Sequence, residues 1–113
     1  MNPKLRAAYD AEMTIARAFY RERDYDRCLA HLERAHILGQ RNYIPHVVNH
    51  WWMLKSGWRK GDLQEVLGQI VRIAGSVGSL AGAVPLGNTG RANVSPIKPM
   101  PIPEDLARYF DVR

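Results

Sequence analysis

Apolar residues recur at helical spacing along the first two thirds of the 113-residue chain. Between residues 7 and 22, Ala11, Ile15, Ala18 and Phe19 follow a 3.6-residue period, which predicts a first helix with that stripe turned inward. Residues 25–38 continue the pattern, with Cys28, Leu32 and Ala35 on one stripe. Asp24 stands just before them, where a carboxylate accepts a free backbone N–H, and Gly39 ends the run. A third helix is predicted over 44–56, with Pro45 in its first turn, where a missing N–H costs little. Gly57 and Gly61 flank the next turn, Asp62 caps, and a fourth helix runs over 63–74 or beyond.

Turns and apolar positions recur at an offset of 38 residues, which aligns Asp24-Tyr25-Asp26-Arg27-Cys28-Leu29 with Asp62-Leu63-Gln64-Glu65-Val66-Leu67. The same offset places Met53 on Ile15, Leu54 on Ala16, Trp58 on Tyr20 and Ile70 on Leu32. Leu32 and Ile70 are thus expected to share one inward position at the repeat interface. Residues 23–35 resemble the second half of a tetratricopeptide repeat: Asp24-Tyr25 opens the helix, and Cys28, Leu32 and Ala35 take its small, large apolar and alanine positions. The sequence departs from that pattern at Arg23, where glycine is expected, and at Gln40, where proline is expected. The resemblance covers about residues 7–75 and implies a grooved stack of helix hairpins that binds partners without chemistry. Residues 34–40, His50-Trp51-Trp52-Met53-Leu54 and Gly87-Asn88-Thr89-Gly90 together resemble a family of short bacterial proteins of unknown function. That resemblance implies no activity.

The C-terminal third differs. Five of the seven prolines lie at 85, 96, 99, 101 and 103, a density that prevents a helix. Residues 87–90 read as a tight turn, 97–103 as polyproline II, and 104–110 as a last helical turn. Val84, Leu86, Val94, Ile97, Met100 and Ile102 favour an ordered strap over a flexible linker. The expected architecture is all-α: two tetratricopeptide-like helix hairpins over 1–82, and an extended proline-rich strap over 83–113 packed on the same domain.

A formal net charge of +5 would suit nucleic acid or anionic lipid. The charge is dispersed, however: residues 1–82 hold 12 Lys/Arg against 8 Asp/Glu, and the remainder 4 against 3. With no basic arm, nucleic acid is not the expected partner. The longest apolar stretch, 63–84, is broken by Gln64, Glu65, Gln69, Arg72 and glycines, so no membrane span is expected. Residues 1–10 lack the apolar segment of a secretory signal, and the single Cys28 permits no internal disulfide. The expected location is cytoplasmic.

Histidines carry the candidate chemistry. His46 and His50 lie four apart on one predicted helix and share a face. His36 closes the preceding helix, whose end meets the start of the third in an antiparallel stack. Cys28, Leu32 and His36 then oppose His46, His50 and Met53. Three imidazoles near a thiol and a thioether suit a transition metal such as zinc, copper or nickel. The pattern favours a plainer reading, in which the imidazoles pack and bond backbone carbonyls. Val47 follows His46, so the Glu of the zinc-protease motif is missing. His31 is expected to face solvent, and Cys28 to be a small core residue rather than a nucleophile.

Trp51, Trp52 and Trp58, with Arg59 and Lys60, form a second candidate: a basic-aromatic patch for phosphate, RNA or an acidic peptide. A solvated turn with one packed tryptophan is the plainer alternative. The 87–90 loop is too short for a phosphate-binding fingerprint, though an exposed Asn88-Thr89 nest would suit an anion. Asp10, Glu12, Asp24 and Glu33 read as caps and surface charges, and no catalytic motif emerges. The expected function is a non-enzymatic interaction module for a protein, a peptide or a second copy of the chain. The alternative is a metal or small-ligand binding protein using the histidine cluster.

Overall fold

The computed structural model describes residues 1–76 and 84–110. Its helices are α1 (Pro3–Arg21), α2 (Tyr25–Gly39), α3 (Tyr43–Lys60), α4 (Leu63–Gly75) and α5 (Glu104–Ala107), and the described residues contain no strand. The fold is all-α. The side chains of Asn2, Asp24 and Asp62 accept hydrogen bonds from the backbone N–H groups of Leu5, Arg27 and Glu65, starting α1, α2 and α4. Consecutive helices pack on one another, α1 on α2, α2 on α3 and α3 on α4. Helix α3 runs past the predicted stop: Gly57 lies inside it, buried against the Glu65 side chain.

The two hairpin turns share one backbone conformation. Gly61 closes α3 at φ 78, and Arg23, 38 residues earlier, stands at φ 62. The left-handed region costs a residue with a Cβ about 1–2 kcal/mol, whereas glycine enters it freely. The turn therefore repeats even where the glycine does not.

The inward stripes differ from those predicted. On α1 the buried residues are Tyr9, Met13 and Ala16, while Ile15 is 40% exposed and Ala11 faces solvent. The helix is rolled so that Tyr9 covers Gly39 and donates its hydroxyl to the carbonyl of Pro45 (2.7 Å). On α2, Cys28, Leu32 and Ala35 are fully buried. On α4 the register shifts by one residue: Glu65, Val66 and Gln69 are buried, and Ile70 is 51% exposed. Ile70 therefore does not share the inward position of Leu32. The cause is the C-terminal segment, which draws the polar side of α4 inward: Ala92 packs over Gly68, and the Val94 carbonyl accepts from Arg72 (2.8 Å).

The interior is thus divided. The apolar cluster joins α1 and α2 to Met53 of α3 and Leu106 of α5, and α4 adds nothing to it. Between α2, α3 and α4 the buried residues include His36, His50, Glu65 and Gln69, while Asn49 and Ser56 bond residues of the apolar side, Leu32 and Cys28 among them. The residues after 84 turn at Gly87, as predicted, and Leu106 seats α5 on the apolar cluster. Ile97, expected to pack, is 82% exposed.

Two stability outcomes follow. Leu32→Ala should cost about 2–5 kcal/mol and Ile70→Ala under about 0.5 kcal/mol in urea denaturation. Arg23→Gly should raise stability by about 0.5–1 kcal/mol by relieving the left-handed arginine. A loss in that variant would show that the turn is not strained.

Candidate metal centre

His36 ends α2, and His46 and His50 lie one helical turn apart near the start of α3. The short α2–α3 connection brings the three together, as the spacing predicts. Their ring centroids are 4.7–5.0 Å apart. His50 Nε2 is 3.1 Å from His36 Nε2 and 2.9 Å from His46 Nε2. One nitrogen from each ring thus points to a common centre, and all three ligand atoms lie within 4.8 Å of one another.

The far side of the rings determines their tautomers. His36 Nδ1 lies 2.7 Å from the Asn88 carbonyl oxygen, which only accepts, so Nδ1 carries the proton and donates. His50 Nδ1 lies 2.6 Å from Gln69 Oε1. The Gln69 amide is oriented by its nitrogen, which donates to Glu65 Oε2 (2.6 Å) and to the Gly90 carbonyl (2.8 Å), so Oε1 accepts from His50. In their neutral forms, His36 and His50 therefore both present an unprotonated Nε2 to the same point. A proton on His46 Nε2 satisfies its contact with His50 and leaves the His36–His50 pair of lone pairs facing each other. His46 Nδ1 is buried without a partner.

Burial keeps these rings neutral. Desolvation, then the charges of His50 and His46, hold His36 well below the usual histidine range. Desolvation lowers His50 to about 3 and also lowers His46. A polar frame surrounds them. Glu65 accepts from Arg91 Nε (2.7 Å) and from the Ala92 N–H (3.2 Å), and Arg91 also bonds Glu33 (2.7 Å). Asn88 is buried: its amide bonds the Ser95 and Lys98 carbonyls, and its oxygen accepts from the Gly90 N–H. The loop is therefore no exposed anion nest. Gly90 stands at φ 80 against the His36 ring, where a Cβ would fall 2.5 Å from Cδ2.

The other candidates lie elsewhere. Cys28 is buried beside Ser56 Oγ (3.3 Å), away from the imidazoles, and burial pushes its thiol up. Met53 Sδ accepts from Gln69 rather than facing the cluster. His31 is not simply solvent-facing: it bonds Glu12 (2.7 Å) and stacks on Phe19. Among the acidic residues, Asp24 caps, Asp10 pairs with Arg6, and Glu12 joins His31 to Arg34.

The tryptophans do not converge. Trp52 packs edge-on against Tyr20 with the Lys55 ammonium 3.7 Å from its ring centroid, whereas Trp51 and Trp58 are 53% and 71% exposed. Lys60 pairs with Asp26 (2.6 Å), and Arg59 is held by the Tyr20 hydroxyl. Sequence reasoning missed Glu65, Gln69, Arg72 and Arg91, and read Asn88 as part of an anion nest. The first three stand at i, i+4 and i+7 on α4, a polar stripe at helical spacing that marks a buried polar face.

The chain belongs to the family described as Protein of unknown function (DUF3703), whose model matches residues 3–110. Neither the curated proteins nor the solved structures hold a match to it. No helix among the described residues is long and apolar enough to cross a membrane.

Acid should destabilise the metal-free protein. The folded imidazoles have lowered pKa values, so below the unfolded value of about 6.5 the unfolded chain binds more protons and stability falls. For His50 alone the loss reaches about 2 kcal/mol at pH 5 and continues toward pH 3. Urea denaturation with chelator present at pH 7 and pH 5 measures it. Equal stability at both would show that the rings do not stay neutral.

Proposed function

We propose that this member of the DUF3703 family binds one transition-metal ion through the Nε2 atoms of His36, His46 and His50. The observation that carries the reading is the facing pair of unprotonated nitrogens on His36 and His50, each locked by a donor bond on its far side. Two lone pairs at 3.1 Å repel unless a cation lies between them. A tetrahedral zinc with bonds of about 2.0–2.1 Å sets its nitrogens about 3.3–3.4 Å apart, within tenths of an ångström of the two separations at His50 Nε2. The backing of His36 by a carbonyl and of His50 by an amide oxygen is the arrangement that orients metal-ligating imidazoles. Neutral nitrogen ligands suit zinc, copper or nickel over calcium or magnesium.

A second reading rests on a different surface. The outer face of α4 carries Leu63, Leu67, Ile70 and Val71, each at least half exposed. We propose that this face docks a protein partner or a second copy of the chain, in keeping with an interaction module. The segments 1–82 and 83–113 are proposed to act as one domain, since Asn88, Gly90 and Arg91 belong to the frame of the histidines.

Tag-free protein should bind one equivalent of zinc or copper and gain about 2.7 kcal/mol of stability when free metal is 100-fold above Kd. His46→Ala/His50→Ala should abolish this, and Gly90→Ala should weaken it by displacing His36. Equal, weak binding by the unaltered protein and the double variant would eliminate the centre. Leu67→Glu should dissociate any self-association seen by sedimentation and leave metal binding unchanged.

A further inference from the structure

The imidazoles form part of the wall of a cavity of about 590 Å³ between α4 and the C-terminal segment. Arg72 lines the same cavity. Its terminal nitrogens donate to the Gly68 and Val94 carbonyls, at 3.0 and 2.8 Å, and its Nε is buried with no hydrogen-bond partner. No carboxylate pairs with it among the described residues. Glu65, the carboxylate nearest in kind, is occupied by Arg91, Gln69 and the Ala92 N–H.

A divalent ion on three neutral imidazoles adds two positive charges beside this guanidinium. Uncompensated charge beside buried groups is costly, and among the described residues no carboxylate lines this cavity to balance it. Three protein ligands also leave at least one coordination position for an outside ligand. Of the other lining residues Ser76 and Asn88 are polar, whereas Val84, Pro85, Pro96 and Pro99 form an apolar wall.

We propose that the cavity takes a small monocarboxylate with a short apolar tail, its carboxylate on the metal at the Arg72 side of the cavity and its tail on the proline-rich wall. This rests on the three-histidine metal reading above. An anion at that position lowers the net charge of the site. The volume exceeds what an inorganic anion fills, and the apolar wall selects for a hydrocarbon tail over a second charge.

Cobalt(II) serves as the probe, since its visible spectrum reports both metal binding and a change in its ligands. Cobalt-loaded, tag-free protein is titrated with formate, butyrate, hexanoate and azide. The expected result is a saturable spectral change that tightens about threefold to fourfold per methylene from formate to butyrate. Arg72→Gln should bind cobalt at least as tightly, having lost a neighbouring cation, and should bind butyrate at least tenfold more weakly. Arg72→Lys should recover part of that loss. A normal cobalt spectrum that no carboxylate perturbs would overturn the proposal and leave the metal centre standing. Azide binding tighter than butyrate, or affinity indifferent to tail length in the unaltered protein, would also overturn it. The absence of any cobalt spectrum would overturn the metal reading together with this one.

Discussion

The approach of His36 Nε2 to His50 Nε2 is the contact on which the polar half of this protein depends. Each ring is held from behind by an acceptor, the Asn88 carbonyl for one and the Gln69 amide oxygen for the other. Those bonds place both Nδ1 protons on the outside and both lone pairs on the inside. Protonation would relieve the repulsion, but burial penalises the charged form. The two lone pairs are thus held facing each other, and the surrounding side chains maintain that geometry. Gln69 is oriented by Glu65, and Glu65 is tied by Arg91 to Glu33 of α2.

This demand explains why the chain has two kinds of interior. The α1–α2 hairpin with Met53 and Leu106 has an apolar core, where burial itself supplies stability. The contact of α3 with α4 is made largely through polar groups, which gain little net free energy but cost much when left unpaired. Such a layer specifies one arrangement. Gln69 and Glu65 can be satisfied only if α4 is rolled to face the 88–94 segment.

The same roll turns α4 inside out. Its polar stripe of Glu65, Gln69 and Arg72 faces the site, and its apolar residues Leu63, Leu67, Ile70 and Val71 face outward. A helix that satisfies a buried polar centre gives up its own apolar face to solvent or to a partner. Arg72 completes the arrangement: two carbonyls fix the guanidinium, leaving its inner nitrogen without an acceptor.

Local chemistry made much of this legible in the sequence. Asp24 and Asp62 announced their helices because a carboxylate before a helix has a free N–H to accept from. The 38-residue offset located both turns, and Arg23 adopts the left-handed backbone of Gly61 because turn geometry is set by chain closure, not by residue preference. The four-residue spacing of His46 and His50, with His36 ending the helix before them, predicted a shared seam. Tertiary structure alone decided which faces turn inward. Periodicity marks an apolar stripe but carries no cost for burying Gln69 rather than Ile70; that cost is set by partners distant in sequence, Gly90 and His50 among them. Nor could spacing reveal the tautomers of the histidines, since the acceptor for His36 Nδ1 lies 52 residues away and meets the ring only in the folded chain.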